Sequence, residues 1–429
     1  MGAIAIAASL VGGCVNTKYR TGAPSQSFVA ADEPRAAEIG RDIIAQGGKA
    51  GDAATAMAMA MAVTLPSRVG MTGGGVCVVF DAAKKETRTL DFLPRPAGTG
   101  GAALPGFLRG VYALQAATGA MRWEQTVVLA EQLARSTPVS RALARDLADS
   151  GARLAADPEA RRVFLPSGAP LAEGAPLSQP ELAATLSQVR RSGIAAMYGG
   201  PLGGAVAQAA AIDPATVRGF QPRWTGTAAI PLGIVSMHFA QLPETDNGAA
   251  LTAAWNAAAG LPSDQRAARV AQALGATGSG ASAPGAGLVV IDHEENGVAC
   301  SFTMGAPFGS GRMVPGTGLL AARGVDGAGF GAPALLTNAI VGRTQFAGAA
   351  SAAGNDGPAA APAALLTAAL PAALDKEPGA AIRVSRATNG PGRTTFVTCQ
   401  TSMESGWKEC QIAADPRAHA LGILVETER

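Results

Sequence analysis

Five cysteines, three histidines and a run of three glycines are the residues whose types first suggest chemistry in this chain. A zinc site needs ligands at close spacing, as in Cys-x-x-Cys or His-x-x-x-His. His238, His293 and His419 stand far apart and no cysteine pair has that spacing, so the sequence predicts no metal and no cofactor. Cys399 and Cys410 flank a polar stretch, Gln400 to Glu409, with Ser405-Gly406 as its turn, and this arrangement predicts a disulfide across a hairpin. Cys77 and Cys300 lie within apolar, strand-like runs, Val76 to Phe80 and Val298 to Phe302, where buried and inert thiols are expected. The glycines of Thr72-Gly73-Gly74-Gly75 precede a strand and are not followed by Gly-Lys-Ser/Thr, so they do not form a phosphate loop.

The elements that must position such residues follow from the hydrophobic pattern. Asp32-Glu33-Pro34 opens a helix that Gly47-Gly48 closes, and a second helix runs from about Gly51 to Leu65, its Met57, Met59 and Met61 serving as packing. A strand over Val76 to Phe80 returns through Thr87 to Leu90 as a hairpin. Gly106 to Ala211 reads as successive helices broken by prolines, and residues 271–287 read as a flexible linker. Leu288 to Asp292 and Val298 to Thr303 form a second hairpin, with Asn296-Gly297 supplying the positive-φ turn. The chain therefore divides into an α/β region over 31–270, the linker, and a β-rich region over 288–429. With 34 Lys and Arg against 32 Asp and Glu and no long run of one sign, it lacks the basic face that nucleic acid would require.

An ordered set of short motifs then carries a resemblance. Ala45-Gln46-Gly47-Gly48-Lys49-Ala50-Gly51-Asp52-Ala53-Ala54, Gly73-Gly74-Gly75 and Leu90-Asp91-Phe92 are followed by Leu177-Ser178-Gln179-Pro180-Glu181-Leu182 and Met197-Tyr198-Gly199-Gly200-Pro201. Phe308-Gly309-Ser310-Gly311, Pro315-Gly316-Thr317-Gly318 and Ala414-Asp415-Pro416-Arg417 complete it. Together they resemble the γ-glutamyltranspeptidases. The resemblance implies an α/β fold of the N-terminal nucleophile hydrolase type, a four-layer αββα sandwich of two stacked sheets with helices outside both. It also implies a precursor that cuts itself before a threonine, whose hydroxyl then attacks a γ-glutamyl carbonyl.

Laid on the family motif without a gap, Asp292, Thr303 and Phe308-Gly309-Ser310-Gly311 match, and the nucleophile falls on Gly285. Glycine has no atom that can attack. The asparagine companion of Thr303 becomes Gly305, and the arginine that grips the substrate carboxylate is displaced, with Arg95 two places late after Asp91-Phe92. The segment that is Asn-Asn-Glu/Gln in the family becomes Ala321-Ala322-Arg323, and the paired serines fall on Ala334-Leu335. Asp326 falls where the family places an Asp against the substrate amine, and the oxyanion loop falls within Gly348 to Gly357. These losses predict a non-catalytic member that serves as a binding or structural subunit. The alternative is an active γ-glutamyl hydrolase or transferase on glutathione-like substrates, with a substitute nucleophile such as Ser282.

The N-terminus adds a location. Ala3 to Gly13 is apolar, too short to span a bilayer, and ends Val11-Gly12-Gly13-Cys14, which resembles a bacterial lipobox. Residues 1–13 then read as a signal peptide, Cys14 as the lipidated first residue and 14–30 as a tether to the envelope. In a Gram-negative cell, Val15 after the cysteine would favour the outer membrane, facing the periplasm. The expected partners are the membrane, a protein of an envelope complex or a small γ-glutamyl-like ligand. Mass spectrometry of the mature protein is expected to find an acylated Cys14 at its start, and Cys14→Ser to release the protein from the detergent phase. An intact Met1 or an unmodified Cys14 would refute this location.

Overall fold

The structure, a computed structural model, describes residues 25–97, 101–244, 249–262, 265, 269, 285–326, 333–351, 393–401, 408–414 and 419–427. Cys14, Ser282, most of the predicted linker and the later part of the predicted oxyanion loop lie outside these residues. The strands are β1 (Ser25–Ala31), β2 (Gly74–Asp81), β3 (Glu86–Phe92), β4 (Thr137–Pro138), β5 (Pro176–Leu177), β6 (Arg223–Thr225), β7 (Thr227–Leu232), β8 (Val235–Ala240) and β9 (Gly285–Ile291). They continue with β10 (Gly297–Thr303), β11 (Met313–Val314), β12 (Leu319–Leu320), β13 (Ala334–Asn338), β14 (Arg343–Ser351), β15 (Arg393–Thr401), β16 (Lys408–Ala414) and β17 (Leu421–Thr427). One sheet has the order β17-β1-β9-β10-β2-β3-β6 and a second the order β16-β15-β14-β13-β8-β7, while β4 with β5 and β11 with β12 form small ribbons.

The helices are α1 (Pro34–Ala45), α2 (Ala50–Thr64), α3 (Phe107–Thr118), α4 (Trp123–Arg135), α5 (Arg141–Leu154), α6 (Pro158–Phe164), α7 (Pro180–Ser192), α8 (Ala195–Tyr198), α9 (Pro201–Ala210), α10 (Pro214–Gly219) and α11 (Ala249–Ala257). Helices α1, α2 and α3 lie on the first sheet, and α4 packs beyond them against α2 and α7. Among the described residues α11, touching β7, is what represents a helical layer at the second sheet.

Strands buried on both faces must be apolar at every position, which is why β2, β9 and β10 read as continuous hydrophobic runs. Val76, Val78, Val289, Ile291 and Ala299 pack toward the second sheet with Leu335, Ala347 and Val397. The alternate residues Cys77, Val79, Leu288, Val290 and Cys300 pack toward the helices with Met57 and Met59. Helix α2 is buried along its whole length. Alanine suits it because it is the best helix former and lets neighbouring elements approach closely. Gly40 of α1 is one such approach, since a Cβ there would sit 2.4 Å from the Met57 sulfur. The start of α2 is fixed to the second hairpin, where the Asp292 carboxylate accepts from the Ala50 amide at 2.9 Å.

Four expectations change. Cys77 and Cys300 are not free thiols: they face each other across the β2–β10 ladder and form a disulfide, with Cα atoms 4.1 Å apart. Their strands are 223 residues apart in sequence, so only the register brings them together. The predicted Cys399–Cys410 disulfide is present, across β15 and β16. In the second hairpin the positive φ belongs to Glu295 at 72°, not to Asn296-Gly297. Asn296 instead turns inward and donates to both Asp292 carboxylate oxygens, at 3.2 and 3.0 Å. Gly285 to Gly287, assigned to the linker, open β9, and Ser25 to Ala30, assigned to the tether, lie in β1 between β17 and β9.

Glu33, which precedes α1, is buried and caps the helix by accepting from the Ala36 amide at 3.0 Å. Burial dominates its hydrogen bonds and pushes its carboxyl up to about 6. A carboxyl raised in the folded state contributes stability that is fully present below its unfolded value and is lost as pH rises through about 6. From the ordinary glutamate value of 4.5, that loss amounts to about 2 kcal/mol between pH 4.5 and 7.5. Glu33→Gln should remove it, so urea denaturation at the two pH values is expected to show the variant gaining on the parent by about 2 kcal/mol at the higher one. An unchanged difference would place the ionisation elsewhere.

Candidate functional site

The head of β9 is where the two halves of the sequence converge. Gly285 is buried and paired with Thr303, the last residue of β10. By strand alternation both lie on the face that looks toward the second sheet, with Val289, Ile291 and Ala299. The Thr303 hydroxyl accepts from the Gly305 amide at 2.9 Å. Two residues into β9, the Gly287 backbone exchanges hydrogen bonds with Asp32, its amide donating to the Asp32 carboxylate at 2.9 Å and its carbonyl accepting from the Asp32 amide at 3.0 Å. Thr395 of β15 donates to the same carboxylate at 2.6 Å, so Asp32 joins both sheets beside the head of β9. The sheets approach closely here: a Cβ on Gly287 would meet that of Ala349 at 2.7 Å.

Asp91 of β3 lies on the same face and its side chain is fully buried. It accepts two bonds from Arg95, each at 2.9 Å, one from Arg223 at 2.9 Å and one from the Leu93 amide at 3.2 Å. Arg95 also donates twice to Glu244, at 2.7 and 3.0 Å. Burial alone would lower the basicity of Arg95, but its hydrogen bonds to Glu244 and Asp91 more than reverse this and raise it. Arg95, two places after Asp91-Phe92, is thus spent on two internal carboxylates. Spacing gave no signal of this, because Arg223 and Glu244 lie far from Asp91 and Arg95 in the chain.

The loop after Thr303 is pinned from both sides. Arg323 donates its amide to the Met304 carbonyl at 2.9 Å, and Phe308 donates to the Ser67 carbonyl at 2.8 Å. Ser67 and Arg68 in turn hold Asp146 of α5, Arg68 doing so with two bonds at 2.8 and 2.9 Å. Arg153, also of α5, reaches the Pro307 and Gly309 carbonyls. Partial burial and the neighbouring Arg323 cation hold the Arg153 guanidinium below its usual range. Neither arginine has an acidic partner among the described residues. Asp326 is exposed at the end of its described segment, and Ala334 and Leu335 are buried in β13. The histidines stay apart: His238 on β8, pushed down to about 4 by burial, and His293 exposed in the β9–β10 turn.

A family model described as gamma-glutamyltranspeptidase matches residues 36–274, more than half of the chain. The chain belongs to the γ-glutamyltranspeptidase family. It is 35% identical over 197 residues to the glutathione hydrolase proenzyme of Bacillus subtilis strain 168, an alignment covering 40% of this chain and 33% of that protein. It is 30% identical over 193 residues to human glutathione hydrolase 7, covering 41% of this chain and 29% of the relative. These matches span about a third of the length of the relatives. Cephalosporin acylase from Bacillus halodurans shares the fold over 93% of this chain and 96% of its own, with a TM-score of 0.72 at 16% identity. The γ-glutamyltranspeptidase of Helicobacter pylori superposes over 56% of this chain with a TM-score of 0.50 at 22% identity. These likenesses place the chain among the N-terminal nucleophile hydrolase folds. The family match ends at residue 274, before the head of β9, so what stands at that head is read from the chain's own residues.

The backbone at Gly305, which the sequence sets against the family's asparagine, is itself constrained. Gly305 has φ +76°, and a Cβ there would lie 2.1 Å from the Arg323 carbonyl oxygen. Glycine alone fits such a place. Gly305→Asn is therefore expected to lower stability by at least about 2 kcal/mol in urea denaturation. A variant as stable as the parent would mean that the loop accommodates the family side chain.

Proposed function

We propose that this chain is a non-catalytic γ-glutamyltranspeptidase relative held at the bacterial envelope, where it serves as a binding or structural subunit. The observation that carries this reading is Gly285 at the head of β9, opposite Thr303. The family reaction and the self-cleavage before it both start from a hydroxyl at the strand's first residue. The neighbouring groups support the reading. Arg95 is engaged by Asp91 and Glu244, and the Thr303 hydroxyl receives the Gly305 amide. Two disulfides fit an oxidising compartment such as the periplasm.

Of the two roles, binding has a specific observation in its favour. Arg153 and Arg323 bring two cations to the loop that follows Thr303, with no acid between them among the described residues. Two like charges held together attract an anion, and a guanidinium matches a carboxylate in geometry. A small carboxylate ligand is the class this loop suits.

The name of the Bacillus subtilis relative, glutathione hydrolase proenzyme, sets the test. The disulfide between Cys77 and Cys300 would hold the two halves together even after a cut before Gly285, so only a reducing gel reports cleavage. A single chain is expected under reducing, denaturing conditions. No chromogenic amine should be released from a γ-glutamyl anilide, and Gly285→Thr alone should not restore turnover, because a nucleophile without positioned substrate forfeits about 7–11 kcal/mol of proximity. Two fragments meeting within residues 270–285, or turnover that follows purity and vanishes in Ser282→Ala, would establish the active alternative.

A further inference from the structure

Six large apolar side chains are exposed among the described residues, and three of them gather at one place. Ile234 is 70% exposed, Ile340 68% and Val341 57%. Ile234 sits at the tip of the β7–β8 hairpin and Ile340-Val341 at the tip of the β13–β14 hairpin. Because β8 pairs with β13, Ser236 opposite Thr337, the two tips lie side by side. Hairpin tips ordinarily carry Gly, Asn, Asp or Ser, so β-branched aliphatics there lack a turn-forming reason.

The second tip is also held firmly. The Asn338 side chain accepts from the Ile340 and Val341 amides at 3.0 and 3.3 Å, and Lys85 of the β2–β3 turn donates to the Ile340 carbonyl at 2.7 Å. A turn tied by its own side chain and a neighbour presents its aliphatic groups in a fixed direction. That direction is the end of the fold at which the β2–β3 and β9–β10 turns lie, the latter joined to β14 by Thr344 donating to the Glu295 carbonyl at 2.8 Å.

The chain enters the fold at this same end. β1 pairs with β9 so that Phe28 faces Ile291 and Ala31 faces Leu288, which puts Ser25 beyond Ile291, beside the β9–β10 turn. Ten residues separate Ser25 from Cys14. Extended, they reach about 35 Å. Gly285 and Thr303 lie at the opposite end of their strands, about 20 Å away by strand rise.

We infer that Ile234, Ile340 and Val341 form a docking surface for a lipid bilayer, seating the fold with its β9 head turned away from the membrane. The inference rests on the reading of Cys14 as a lipid anchor. Three aliphatic side chains on adjacent hairpin tips suit shallow insertion at the headgroup boundary, and a tether leaving from the same end keeps them there. At this end Lys85 is spent on the Ile340 carbonyl at 2.7 Å, and Lys84 pairs with Asp81 at 2.5 Å and Lys49 with Glu294 at 2.8 Å, so seating depends chiefly on apolar contact.

The test separates the surface from the anchor. The full chain carrying Cys14→Ser is tethered through an N-terminal hexahistidine tag to phosphatidylcholine vesicles containing nickel-chelating lipid. An environment-sensitive fluorophore is placed at Ile340→Cys in one sample and at Arg323→Cys in another. At 340 the emission is expected to shift to shorter wavelength and to be quenched by lipid-borne nitroxides, equally in low and high salt, while the label at 323 stays unchanged. Ile234→Ser with Val341→Ser should abolish the shift at 340. A label at 340 that reads the same with and without vesicles overturns the inference. So does a shift that arises without lipid as protein concentration rises, which would make the tips a contact between copies of the chain. Failure to find acyl groups on native Cys14 would remove the anchor while leaving the vesicle result to decide the surface.

Discussion

The antiparallel pairing of β9 with β10 and of β10 with β2, buried on both faces, is the constraint from which the rest of the structure follows. A strand with two buried faces has one allowed register, because a slip by one residue exchanges its faces and breaks two packed cores at once. That register sets Gly285 against Thr303 and Cys77 against Cys300. It also threads strands from opposite ends of the chain into one sheet, with β1 lying between β9 and β17. The part of the sequence that matches the family and the part beyond residue 274 therefore form a single cooperative body, and the Cys77–Cys300 disulfide ties one to the other covalently.

Around this sheet, buried carboxylates tie the elements to one another. Asp91 binds Arg95 and Arg223, Asp32 binds Gly287 and Thr395, and Asp292 binds the start of α2 together with Asn296. A buried carboxylate is tolerable only when donors satisfy it, and each of these is satisfied by residues of the fold itself. These carboxylates hold strands, turns and helix ends. Arg153 and Arg323, which have no acidic partner among the described residues, lie beside the loop that follows Thr303, at the end of the molecule opposite the apolar hairpin tips.

Much of the fold was legible because it is local. Glu33-Pro34 and Gly47 bounded α1, an alanine-rich run made α2, and unbroken apolar stretches marked β2, β9 and β10. The Cys399–Cys410 disulfide could be read because ten residues and one turn separate its partners. An ordered series of glycine and proline motifs was enough to suggest the family, since each of them marks a place where the backbone itself is constrained.

What only the tertiary structure decided depends on strands and loops distant in sequence. Cys77 and Cys300 looked like two buried thiols until the register placed them opposite each other. Arg95 looked merely displaced until Glu244 and Asp91 were seen to hold it, and Gly305 looked like a lost asparagine until its φ and the Arg323 carbonyl showed that only glycine fits. The turn at Asn296-Gly297 followed its dipeptide preference less than it followed Asp292, whose need for donors drew Asn296 inward and left the positive φ to Glu295. Sequence thus determined most of the elements and that glycine stands at position 285. Packing decided which partners each polar group found, because a buried donor or acceptor takes whatever the fold brings within reach.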